Sequence, residues 1–149
     1  MKIYLAGPWA DRSRAHDTAL RFEAEGFEIT ERWWNHVTVG TATTGSLLGY
    51  EPSIDEEEEL KRQALIDIEA VKEAHLMVVL NFQKSEGKAA EQGIALAFNM
   101  PIIGIGQRGS NIFQFLDNYT WVETVDEAIH TAKVYRDLDA RLRTPKHVE

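Results

Sequence analysis

Apolar runs of three to six residues alternate along the chain with longer stretches whose apolar positions repeat at helical spacing. Residues 2–6 read as a short buried strand stopped by Gly7 and Pro8. Residues 14–25 read as a helix with Ala15, Ala19, Leu20 and Phe22 toward one face, and Gly26 stands at its C′ position. A shorter strand is expected over 27–29. The stretch 33–50 holds neither period for long, is rich in Thr and Gly, and reads as a long functional loop. Ser53 followed by Glu56 is a capping-box signature, opening a helix that runs through Ala64, Ile68 and Val71 to about residue 74. The run 76–80 is continuously apolar, as a parallel strand buried on both faces requires. A helix over 88–99, strands over 101–105 and 120–122, and a last helix over 125–142 complete the pattern. Strands alternating with helices predict a single doubly wound α/β domain over 1–149, with a mostly parallel five-stranded sheet in the order 2-1-3-4-5.

Ligands of such sheets sit outside the carboxyl ends of the strands, which nominates residues 7–14, 81–91 and 106–113. Composition narrows what they bind. A formal net charge of -8 opposes a nucleic-acid polymer but leaves room for a mononucleotide held by a few local donors. With no cysteine there is no disulfide, thiolate zinc site or thiol nucleophile, and the histidines lack ligand spacing, so neither metal nor cofactor is expected. The apolar start is too short for a signal peptide or membrane span, and a cytoplasmic protein is expected. The acidic run 56–59 reads as the solvated start of a helix.

The most informative segment is 85–93, which follows the strongest strand and opens a helix whose first amides are free donors. Glu91 falls about one turn inside, where the helix dipole favours an ionised carboxylate, among small neighbours that admit a ligand. Read on spacing alone, Glu91 is a plain polar residue in an early helical turn. Lys88, a cation in a first turn, is unfavourable there unless it meets an anion. Arg12, Ser13 and Arg14 are candidate phosphate donors or simply surface residues of a helix start. Trp9, Trp33, Trp34 and His36 are candidates for a wall against a base, Trp9 first, with Trp33 and Trp34 alternatively a lid on the core.

Taken in order, Ile3-Tyr4-Leu5-Ala6-Gly7-Pro8-Trp9, then Asp67 with the helix after it, then Gly87-x-x-x-Glu91-x-Gly93, then Ser110-Asn111-Ile112-Phe113, this set resembles the nucleoside 2-deoxyribosyltransferase family. The resemblance implies a double displacement at the anomeric carbon. Glu91 attacks as the base departs, a glycosyl ester forms, and a second base or water resolves it. It further implies that Tyr4 holds Glu91, and that Asp67 binds the sugar's 5′ side or protonates the leaving base. Gly7, Trp9, Arg12, Ser85, Gly87 and Lys88 would line the substrate, and Asn111 and Phe113 would complete a neighbouring subunit's pocket, making a homodimer or larger homo-oligomer. Transferases of this family commonly carry Asp where this chain has Ser85. A serine there resembles the related deoxynucleoside 5′-monophosphate N-hydrolases, in which it contacts phosphate. His75 stands where the family usually shows Asp, and is expected to be structural. The partners implied are a deoxynucleoside or deoxynucleotide and a free nucleobase. The alternatives are a hydrolase using water, a module that binds a nucleotide without turnover, and an enzyme that splits a dinucleotide at nicotinamide. A Rossmann dehydrogenase is disfavoured, since no G-x-G-x-x-G follows the first strand.

Overall fold

A computed structural model describes residues 1–36 and 51–143; most of the loop expected over 33–50 lies outside the described residues. Five parallel strands form one sheet: β1 (Lys2–Ala6), β2 (Glu28–Ile29), β3 (Leu76–Asn81), β4 (Ile102–Gly106) and β5 (Tyr119–Val122), in the order β2-β1-β3-β4-β5. Four helices connect and cover them: α1 (Arg12–Ala24), α2 (Ile54–Glu73), α3 (Glu86–Ala97) and α4 (Val125–Arg143). The α/β class, the all-parallel sheet and the strand order agree with the sequence reading.

The sheet forms where the apolar runs lie. Residues 3–6 and 76–80 are almost wholly removed from solvent, because helices cover both faces of a parallel sheet. On one face α1 and α4 are tied together by the pairs Arg21–Asp126 and Lys133–Glu25, while Arg136 lies over the Phe27 ring. On the other, α2 packs against α3. Ser53 and Glu56 close the expected capping box on α2, each side chain bonding the other's backbone amide. Gly26 ends α1 with a φ of 87°, a left-handed turn that glycine enters without steric cost.

Several boundaries differ from the pattern. Both α1 and α3 begin two residues earlier than their apolar period, because their opening turns are polar and exposed. Leu20 is half exposed, and Thr18 takes its place on the buried face of α1. In α2 the buried residues are Ala70 and Val71, whereas Ala64 is exposed and Ile68 sits at the solvent edge. His75 is structural: its Nδ1 accepts from the Lys2 amide at 2.9 Å, and its own amide donates to the Lys2 carbonyl. No helix among the described residues is long and apolar enough to cross a membrane.

Candidate active site

The order β2-β1-β3 places the reversal of strand order between β1 and β3, outside whose carboxyl ends ligands of such sheets bind. Three side chains converge there: Tyr4 from β1, Asp67 from α2 and Glu91 from α3. Tyr4 is fully buried. The Tyr4 hydroxyl, Asp67 Oδ1 and Glu91 Oε2 are all out of solvent and have no hydrogen-bond partner among the described residues. The phenol still acts on Glu91 as a donor and favours its ionised form, although no well-aligned hydrogen bond joins them.

Burial governs the electrostatics of these groups. It pushes Glu91 up to about 8; the Tyr4 hydroxyl works against that rise and the Asp67 charge adds to it. Burial likewise raises Asp67 to about 6, with His36 pulling it down and Glu31 pushing it up. Tyr4 is raised far above the ordinary phenol range by burial and by the charges of Glu91 and Asp67, so it remains a donor. A place near the start of a helix predicts that the dipole keeps Glu91 ionised. That expectation needs correction: α3 starts at Glu86, which puts Glu91 beyond the first turn where the dipole acts, and desolvation dominates. The two carboxyls therefore behave as a pair that carries one proton over the neutral range. A carboxylate and a carboxylic acid side by side are what a nucleophile and a proton donor require.

The shape is shared with a solved glycosidase. The structure of Clostridium botulinum CMP N-glycosidase, BcmB, aligns with a TM-score of 0.56 at 19% identity, over 91% of this chain and 100% of that one. No protein-family model and no curated protein matches the sequence. At that identity the likeness establishes the doubly wound fold.

The other nominated residues lie after β1, after β2 and along α3. Gly7 follows β1, and a Cβ there would lie 3.4 Å from Leu80 and 3.5 Å from the Trp33 ring, an ordinary contact. Trp9 is partly buried, its indole nitrogen without a partner among the described residues, and Arg12 folds back over it, donating to the Trp9 carbonyl at 3.2 Å. Trp33 and Trp34 are buried, and Trp33 Nε1 donates to the Leu5 carbonyl at 2.7 Å, which makes Trp33 part of the core. Ser85 caps α3, its hydroxyl accepting from the Lys88 amide at 3.2 Å, and Gly87 is exposed in the first turn. Lys88 is 4% exposed. Its ammonium donates to Asn81 Oδ1 at 2.9 Å and to the carbonyls of Leu80 and Gln83, so its donors are engaged with the β3–α3 loop.

Asn111 and Phe113 lie on the other flank of α3, apart from Tyr4 and Asp67. Asn111 caps the 3-10 turn Ile112–Phe115 by accepting from the Phe113 amide at 2.8 Å, and Phe113 is 57% exposed. Ser85, Lys88, Arg108, Ser110 and Asn111 border a cleft of about 540 Å³ on that flank. Beneath it Gln92, next to Glu91, accepts from Tyr119 at 2.7 Å and from Gln114 at 3.3 Å, binding the turn to α3.

Glu31, Asp11 and the Gln92–Gln114 pair are not among the residues that the sequence nominates. Glu31 follows β2 and could have been found by extending the strand-end rule to that strand. Asp11 stands at the N-cap position of α1 without capping it, and its buried Oδ2 has no partner among the described residues. No spacing in the sequence signals a non-capping aspartate or a buried amide pair.

Proposed function

We propose that this protein breaks the N-glycosidic bond of a 2′-deoxyribonucleoside or its 5′-monophosphate, with Glu91 capturing the sugar and a second base or water releasing it. In the first step the C1′–N bond breaks as a Glu91 oxygen bonds C1′, and Asp67 gives its proton to the departing nitrogen. In the second, the acceptor bonds C1′, the ester opens, and the acceptor's proton returns to Asp67. In the free protein the shared proton rests on Glu91, the higher of the two carboxyls; the Tyr4 hydroxyl favours the ionised carboxylate there, and the first step requires that proton to pass to Asp67.

One observation carries the reading: a phenol and two carboxyls from three elements meet where the strand order reverses, each with a buried oxygen that no well-aligned hydrogen bond satisfies among the described residues. Buried polar atoms are nearly always satisfied, and exceptions concentrate where a protein does chemistry. Ser85 and the shared fold of a CMP N-glycosidase favour a nucleotide substrate and water as acceptor. On that reading Ser85 and the first α3 amides receive the phosphate, Arg12 and Gly87 border it, Lys88 adds charge from below, and Trp9 meets the base. The exposed residues Ile112, Phe113 and Phe115 fit burial against a second copy, to which Asn111 would be lent.

Base release should be followed from deoxynucleosides and their monophosphates, with and without a free acceptor base. Release without acceptor marks a hydrolase, and release only with acceptor marks a transferase. Ligand binding with no release from any substrate would leave a binding module and refute the proposal.

A further inference from the structure

Two buried amides tie the loop after β4 to α3. Gln92 of α3 and Gln114 of the 3-10 turn Ile112–Phe115 are 5% and 6% exposed, so their polar atoms depend on each other and on the backbone. Gln114 Oε1 accepts from the Gly109 amide at 2.6 Å, and Gln114 Nε2 donates to Gln92 Oε1 at 3.3 Å. Gln92 Oε1 also accepts from the Tyr119 hydroxyl at 2.7 Å, and Gln92 Nε2 donates to the Lys88 carbonyl at 3.1 Å. Both amides can face only one way, since turning either would set acceptor against acceptor. Gly109 fits this arrangement: a Cβ there would stand 2.9 Å from Gln114 Oε1, an atom that its own bonds keep from yielding. The start of the same loop is tied as well. Asn81 accepts from Lys88 at 2.9 Å and donates to the Gln107 carbonyl at 2.5 Å. Between the two ties stand Arg108, Ser110 and Asn111, which border the cleft together with Ser85, and Gln92, Gly109 and Gln114 line it with them.

We propose that Gln114, held by Gln92, is a positioning residue for the substrate: it fixes the loop 107–114 against α3 and so sets the width of the cleft at which Ser85 receives the 5′-phosphate. The inference rests on the phosphate role proposed for Ser85 above. An unbroken path of hydrogen bonds joins the two. Ser85 Oγ accepts from the Lys88 amide at 3.2 Å, the Lys88 carbonyl accepts from Gln92, Gln92 accepts from Gln114, and Gln114 holds Gly109. The clamp stands on the flank of α3 away from Tyr4 and Asp67, so it acts on the binding of substrate and not on the breaking of the bond. Side-chain amides carry no charge, and burial pushes the Tyr119 hydroxyl up to about 12, so the clamp keeps its form while the two carboxyls titrate. A buried amide pair that served packing alone would be replaceable by two apolar side chains of the same shape with little effect. A pair that positions the loop would not, because the Gly109 amide would lose its acceptor and the edge of the cleft would shift.

Calorimetry should compare wild type, Q114M, Q92M and the double variant in binding 2′-deoxyadenosine and 2′-deoxycytidine 5′-monophosphates and the two nucleosides, with exchange of the Gly109 amide followed by NMR. Methionine keeps the length of glutamine and brings no donor or charge. Q114M should weaken monophosphate binding about tenfold, the scale of one lost buried hydrogen bond, and speed exchange at Gly109, while nucleoside binding changes less than about twofold. Q92M should act in the same direction, and the double variant should lose no more than Q114M, because the pair works as one unit. Where base release is measured, the loss should fall on KM for the monophosphate more than on kcat. Should Q114M fail to fold, G109A tests the same contact through the methyl that would press on Gln114 Oε1. Equal monophosphate affinity in wild type and Q114M, or equal weakening of nucleotide and nucleoside, would overturn the inference. So would a wild-type protein that binds neither monophosphate, with release from nucleosides then judged by itself. Affinities that divide as expected with no base released would refute the proposed function and leave the inference standing.

Discussion

At the scale of single residues, Glu91 and Asp67 place chemistry and stability in opposition. Both carboxyls hold their protons more tightly folded than a free side chain does, at about 8 and about 6. Their contribution to stability is therefore present below the ordinary carboxylate range. It is lost as pH rises through about 6 for Asp67 and about 8 for Glu91, where a buried charge must be carried. Glu91→Gln keeps the shape and removes the charge. Thermal unfolding should show it more stable than wild type at pH 8, by an amount on the order of a few kcal/mol. The advantage should shrink toward pH 5; an equal gain at both pH values would mean that the carboxyl is not desolvated. That a stabilising change should abolish turnover is the usual relation between a functional site and its fold.

At the scale of elements, β4 and β5 depend on one glycine. Gly104 pairs with Trp121, and a Cβ at Gly104 would come within 2.3 Å of the indole. Trp121 has little room to yield, because its ring stacks on Tyr119 at 5.4 Å and 2°, and Tyr119 bonds Gln92 on α3. Gly104→Ala should lower the urea midpoint by the equivalent of about 1–3 kcal/mol, the usual cost of overpacking a core. Gly93→Ala, with nothing within 4 Å of its added methyl, should leave the midpoint unchanged or raise it, since alanine suits a helix better. Equal effects at the two glycines would contradict this packing. The elements themselves were legible where burial imposes a pattern: the runs at 76–80 and 102–105 could hardly be anything but parallel strands. Helix starts were not, since Arg12, Ser13, Glu86 and Gly87 are exposed and follow no period. Nor was Lys88 as a buried loop anchor, because its acceptors are mostly backbone carbonyls, which every sequence has.

For the whole molecule, strand order does what no motif does. Tyr4, Asp67 and Glu91 are far apart in the chain and meet because β1 and β3 are neighbours while α2 and α3 share a face. Their convergence was legible only through family resemblance, as spacing left Glu91 a plain helix residue. The Gln92–Gln114 pair escaped even that, since a contact between two amides of separate elements has no signature. On the proposed function, the sheet and the point where its strand order reverses give a glycosidic bond its place, and the oxygens of Tyr4, Asp67 and Glu91 give the chemistry. The decisive comparison is the rate of base release by Glu91→Gln and wild type on one shared substrate, with folding of both checked. A loss of at least about three orders of magnitude is expected, the scale on which removal of a covalent nucleophile is felt. Turnover by the glutamine variant within a factor of about ten of wild type, a difference of only ~1.4 kcal/mol in the barrier, would mean that the sugar is never bonded to Glu91.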